Sequence, residues 1–197
     1  MSNVATRIID RHVEANLGHK RAFDFNGKPY SYHDLAALAN RAGNLLKSLG
    51  AGAGTRVLVV LPESPAYVAT IIGAMKVGAI PVIGIDLGAG GSVLAVVHAK
   101  FLGEASAALA ALPKDRILIV GEAPEGHPSF VDSMRSQPSS LVAETVAPDA
   151  PALVLEGQKP VTHWELKKFL EGSDDARLGR VGALLRPLAN ADTALLS

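Results

Sequence analysis

Three stretches hold residue types whose spacing could do chemistry. Residues 87–92 read LGAGGS. If that turn opened a helix after a strand, Gly88, Gly90, Gly91 and Ser92 could present free backbone N–H groups and the positive helix end to an anion. The stretch completes neither G-x-G-x-x-G nor the phosphate-loop pattern ending in Gly-Lys-Ser/Thr, so a flexible connection is the competing reading. Asp86 just before it could face a cleft at the carboxyl edge of a parallel sheet, although with no partner in the sequence it reads first as a loop residue. Around Ser64, the order Glu63-Ser64-Pro65 lacks the G-x-S-x-G frame of a nucleophile and reads as a helix cap. The third stretch, EGQKPVTHWEL at 156–166, gathers Gly157, Lys159 and His163. A triphosphate needs several converging N–H donors, cationic help and usually Mg²⁺, and one glycine with one lysine falls short of that cradle. None of the histidines, His12, His19, His33, His98, His127 and His163, has the spacing of a metal site, so no metal is expected.

The elements that would position these residues follow from periodicity and punctuation. Val4, Ile8, Ile9 and Val13 mark one face of a helix over residues 4–16. Residues 22–25 and 28–31 read as two strands turned by Asn26-Gly27, a dipeptide that accepts positive φ. Ser31 and Asp34 cap a helix that runs from about Tyr32 to Leu49, with Gly50 as its stop. Residues 56–61 form a β-branched buried-type strand, Ser64-Pro65 starts a helix that ends at Gly78, and residues 79–85 resume strand character. Strand, helix and strand in that order imply a parallel sheet joined by a right-handed crossover. Residues 93–112 read as one helix, or as two broken near Gly103, while 116–121 and 151–157 read as strands and 130–135 as a short helix. Thr162 and Glu165 form a capping box for a helix to about Glu171. Beyond it, Leu178, Val181, Leu184, Leu185 and Leu188 keep weak helical spacing, and the end is expected to be loose. The fold class predicted is α/β: a mostly parallel sheet flanked by helices, with a short N-terminal β-hairpin.

Composition excludes several functions. Lys+Arg and Asp+Glu both number 19, so nothing draws the chain to nucleic acid. There is no cysteine, which removes disulfides and thiolate chemistry and fits the cytoplasm. No run of about 20 apolar residues is present for a membrane crossing, and the opening residues have no signal-peptide pattern.

AFDFNGKPYSYHDL and PALVLEGQKPVTHWEL share an order: strand, glycine, Lys-Pro, a hydroxyl residue, then an acid and Leu. Two hairpin-to-helix junctions obeying the same capping rules account for the echo more simply than a repeat does.

The succession SYHDL, ANRAGNLL, VLVVLPESP and GAMKVGAIPV within residues 20–84 resembles the N-terminal part of adenylate-forming enzymes. That superfamily comprises acyl- and aryl-CoA synthetases, peptide-synthetase adenylation domains and luciferases. The layout of residues 112–157 is similar to the benzoate-CoA ligase branch. The resemblance implies an N-terminal α/β subdomain over residues 1–156, with ATP and CoA as the family's cofactors. It also implies that the strand PALVL should lead into a Ser/Thr/Gly-rich loop ending in lysine, which holds the ATP phosphates. Here EGQKPVTHWEL follows, with one glycine and no run of hydroxyls. Residues 157–197 are expected to be a divergent helical extension in that loop's place. The acyl pocket, adenosine site and mobile C-terminal domain of such enzymes lie beyond the region matched. The expectation is therefore a stand-alone, non-catalytic relative with no cofactor of its own, acting through a protein partner or as a homodimer. The alternatives are one piece of a split ATP-dependent ligase, and a small-ligand or nucleotide sensor that uses the LGAGGS turn.

Overall fold

A computed structural model describes residues 3–85 and 91–196. The expected first helix is two short ones, α1 (Val4–Ile8) and α2 (Asp10–Glu14), because Ile9 leaves helical geometry at φ −127° and ψ −61°. Strands β1 (Arg21–Phe25) and β2 (Lys28–Ser31) pair antiparallel through Asn26 and Gly27, both at positive φ, as the dipeptide predicts. Helix α3 (Tyr32–Ser48) starts in a full capping box: Asp34 N–H donates to Ser31 Oγ at 3.1 Å and Ser31 N–H donates to Asp34 Oδ2 at 2.9 Å.

The strands β3 (Arg56–Val60), β4 (Ile80–Ile83), β5 (Leu94–His98), β6 (Ile117–Val120), β7 (Pro151–Leu155) and β8 (Val161–Thr162) form one sheet in the order β6-β5-β3-β4-β7-β8. Its ladders are parallel except for the antiparallel pair β7 and β8. Alternation assigns the two faces. Val57, Leu94, Val96 and Leu118 pack toward α3, α4 (Pro65–Lys76) and α6 (Phe130–Arg135). Leu58, Val60, Ala95, Val97, Ile117 and Ile119 pack on the other face against Ala105 and Leu109, of which Leu109 belongs to α5 (Ser106–Leu109).

Residues 94–98 are strand β5 rather than helix, and only the short Ala99–Phe101 turn and α5 remain of the helix expected over 93–112. The strand lies between β3 and β6 with both faces buried, so its pattern is a continuous apolar run without the alternation that marks a half-exposed strand.

The end of the chain is a second correction. Helix α7 (His163–Leu170) is followed by α8 (Gly179–Ala189) and β9 (Ala194–Leu195), and β9 adds in parallel to β1 to give the order β2-β1-β9. Leu178, Val181, Leu184, Leu185 and Leu188 are all buried in the largest core cluster, with α1, α4 and β7. The Tyr32 hydroxyl, deep in this core, donates toward Leu188 O at 3.0 Å and Asp192 O at 2.8 Å. Tertiary burial therefore orders a segment whose own helical pattern is weak.

Helices α3 and α4 meet through glycines. A Cβ on Gly73 would lie 2.7 Å from both Ala39 O and Gly43 N, so the backbones approach more closely than any side chain allows. Nearby, Lys76 is 1 % exposed, and its ammonium donates to Asp10 Oδ1 at 2.7 Å and Asn40 Oδ1 at 2.6 Å, joining α2, α3 and α4. Among the described residues no helix is long and apolar enough to cross a membrane.

Alanine is the better helix former than glycine by about 1 kcal/mol, but overpacking a close crossing costs about 1–3 kcal/mol. Because the added Cβ would meet backbone atoms, the cost falls at the upper end, and Gly73→Ala should lower the urea midpoint with a net loss of up to about 2 kcal/mol. An unchanged or higher midpoint would show that the α3–α4 crossing has slack.

Candidate functional site

Parallel strands place the ends of β3, β4 and β7 side by side, and a cleft of about 650 Å³ opens there. Val60, Ile83 and Leu155 form its floor, Tyr67 of α4 one wall, and residues 177–181 another. At Gly84, φ is +125° and a Cβ would stand 2.5 Å from Glu156 Cβ, so glycine lets Glu156 fold over the end of β4. Among the described residues three carboxylates line the cleft, Glu63, Glu104 and Glu156, against two guanidiniums, Arg177 and Arg180.

Both guanidiniums have carboxylate partners. Arg177 Nη2 lies 2.6 Å from Asp175 Oδ2 and 2.8 Å from Glu165 Oε1, and Arg180 Nε lies 3.0 Å from Glu63 Oε1. The hydrogen bond from Arg177 holds the Asp175 carboxyl below its ordinary range, while Glu165 is lowered first by the Thr162 N–H and then by Arg177. Burial, with a further contribution from Glu63, pushes the Tyr67 hydroxyl up to about 12, so it stays a neutral donor at physiological pH.

The junction after β7 is a hairpin. Leu153 stands opposite Val161 and Pro151 opposite Thr162, which leaves residues 156–160, all exposed, to make the turn. Two of its four N–H groups are engaged: Glu156 donates to Ile83 O at 3.0 Å and Gln158 to Leu155 O at 2.9 Å, while Pro160 has none. At most Gly157 and Lys159 can offer a backbone donor to a ligand. The chain then enters α7 through the expected capping box, with Glu165 N–H donating to Thr162 Oγ1 at 3.1 Å and Thr162 N–H to Glu165 Oε2 at 2.8 Å. The two echoing stretches are thus the same device, an antiparallel pair feeding a box-capped helix.

His163, first in α7, is buried and accepts the Val4 N–H at Nδ1, 3.3 Å away. Burial lowers its pKa to about 4, so the ring is neutral and supplies no positive charge to the junction. Trp164 beside it is half exposed, with Lys167 and Lys168 over its ring at 5.5 and 4.8 Å, whereas Phe169 is buried beneath Arg186.

Of the glycine-rich turn, Gly88 and Gly90 lie outside the described residues, as does Asp86. Gly91 and Ser92 precede a strand: Val93 N–H donates to Arg56 O at 3.0 Å as β5 begins. No helix N-terminus follows them, and they sit at the amino edge of the sheet, opposite the cleft. Among the described residues, no group of His, Asp and Glu side chains is placed to hold a metal ion. Sequence reasoning missed Arg177, Arg180 and Glu63 as cleft residues, because nothing local links residue 63 to the region after residue 175.

The sequence pattern of AMP-binding enzymes matches residues 9–155. The chain belongs to the AMP-binding enzyme family. This AMP-binding family chain is 38% identical over 80 residues to a 3-hydroxybenzoate/4-hydroxybenzoate CoA ligase of Thauera aromatica, a match covering 41% of the chain and 15% of that ligase. To an acetyl-coenzyme A synthetase of Gemmatimonas aurantiaca it is 37% identical over 83 residues, covering 40% of the chain and 13% of the synthetase. In fold it is similar to the solved anthranilate CoA ligase in complex with anthranoyl-AMP. The TM-score there is 0.82 at 22% identity, over 100% of this chain and 45% of that one. A benzoate CoA ligase from Burkholderia xenovorans gives 0.80 at 19% identity, again over 100% of this chain and 45% of the other. The family member thus spans 45% of each of these two solved ligases, and residues 157–197 lie within the matched region.

The pKa of His163 gives a pH dependence with a definite sign. The folded chain keeps the ring neutral down to about pH 4, while the unfolded chain protonates it near the ordinary value of 6.5. Stability is fully present above 6.5 and is lost as pH falls toward 4, because the unfolded state gains the proton first. His12, lowered chiefly by burial and then by Arg11, acts in the same direction. Urea unfolding between about pH 7 and 4.5 should show a loss on the order of 2 kcal/mol, reduced in His163→Gln. The same loss in the variant would show that other groups carry it.

Proposed function

We propose that this chain is a non-catalytic member of the AMP-binding enzyme family that works in the cytoplasm by associating with protein, either a second copy of itself or a larger adenylating partner. The observation that carries this reading is the turn at residues 156–160. It has one glycine and no hydroxyl side chain, and at most two of its backbone N–H groups are unengaged. A triphosphate brings several negative charges and requires converging donors and cations. Among the described residues the cleft instead offers three carboxylates and two guanidiniums, each guanidinium already beside a carboxylate. The residues present do not fit ATP, so no adenylation step is derived for this chain. Half-exposed Trp164 and the exposed Leu195 on edge strand β9 are the features that favour a protein partner.

A second reading is favoured by the fold match, in which this chain corresponds to 45% of a solved ligase. A separate polypeptide would then supply the remaining parts of an ATP-dependent acyl- or aryl-CoA ligase and complete the cleft.

Pyrophosphate exchange with ATP, measured with benzoate, hydroxybenzoate and acetate as acids, distinguishes these readings. The purified chain should give no exchange above a heat-killed control. Exchange by the chain alone would overturn the non-catalytic reading, and exchange appearing only on addition of a co-purifying protein would establish the split one.

A further inference from the structure

A second cavity, about 220 Å³, lies between α1, α2 and the first turns of α7, and shares no residue with the cleft at the strand ends. Its charged lining is Arg7, Arg11 and Lys167, with Glu14 also on the wall. Glu171 reaches this group from the end of α7: its Oε1 lies 3.2 Å from Arg7 Nη2 and 3.0 Å from Lys167 Nζ. Arg11 has no described ion pair, and its Nη2 donates to the carbonyl of Ala189. The Nε atoms of both Arg7 and Arg11 are buried and have no hydrogen-bond partner.

Among the described residues Glu171 pairs with Arg7 but is not paired with Arg11, so the two guanidiniums on the cavity wall share a single ion-paired carboxylate. Burial and the charge of Arg7 lower the proton affinity of Arg11. A guanidinium carries five N–H donors, so each of these can keep its present Nη2 contact and still offer a terminal N–H to an oxyanion. Three cations approaching from three elements, α1, α2 and α7, suit an anion with oxygens on several sides better than the two-oxygen edge of a carboxylate.

We propose that this cavity binds a phosphate oxyanion, inorganic or as the monoester of a small molecule, through Arg7, Arg11 and Lys167. Bound there, the anion ties the N-terminal helices to α7. The site is independent of the reading of the β7–β8 junction, since it stands or falls whether or not the chain adenylates anything.

The test is a calorimetric titration of the whole chain with inorganic phosphate and with glycerol phosphate at constant ionic strength. Saturable binding is expected for at least one of them, weakened by roughly tenfold or more in Lys167→Gln, whose half-exposed side chain can be replaced without opening the core. Arg11→Gln should weaken it at least as much if its circular dichroism matches that of the parent. Binding of both ligands, or of one alone, upholds the site and identifies its source of phosphate. Absence of saturable binding by either ligand, or unchanged affinity in Lys167→Gln, would overturn it.

Discussion

The pairing of β7 with β8 is the constraint on which both the fold and the functional reading depend. With Leu153 opposite Val161, the chain must reverse within residues 156–160; the Gln158 N–H closes the reversal on Leu155 O, while the Glu156 N–H holds the end of β4 through Ile83 O. The reversal delivers Thr162 and Glu165 directly into a capping box, so α7 starts where His163 can accept the Val4 N–H and Leu166 can enter the main core. A longer phosphate-gripping loop would need those same N–H groups facing outward. In this chain the backbone donors hold the junction together instead.

Behind the junction, polar groups buried in an apolar core set the frame. The Lys76 ammonium draws Asp10 and Asn40 together, and Glu144 N–H donates to Lys76 O at 2.7 Å, which brings the long segment before β7 onto the end of α4. An unpaired buried ammonium is costly, so this arrangement specifies how α2, α3 and α4 are set against one another. The glycine crossing of α3 and α4 adds a steric requirement at the same place. Helices α7 and α8 then close the remaining face of that core, and β9 returns the chain to β1.

Much of this was legible locally. Asn26-Gly27, the Ser31–Asp34 and Thr162–Glu165 boxes and the Ser64-Pro65 helix start are decided by residues within a few positions of one another, and each is found as read. Strand β5 was not legible, because burial of both faces removes alternation and the following alanines favour helix. Nor was β9, since two residues carry no periodic signal and the pairing depends on β1, far away in sequence. The poverty of the turn at residues 156–160 was visible from its residue types. The salt bridge between Glu63 and Arg180 and the approach of Glu156 to Gly84 are products of topology, and no spacing announces them.

Amide hydrogen exchange across residues 155–162, with and without Mg²⁺-ATP, tests the central claim most directly. If the junction is a closed hairpin, the Glu156 and Gln158 amides are protected in the free chain and their rates do not change when nucleotide is added. Rapid exchange at those amides that slows on adding Mg²⁺-ATP would show that the turn opens to grip phosphate, and would contradict the account.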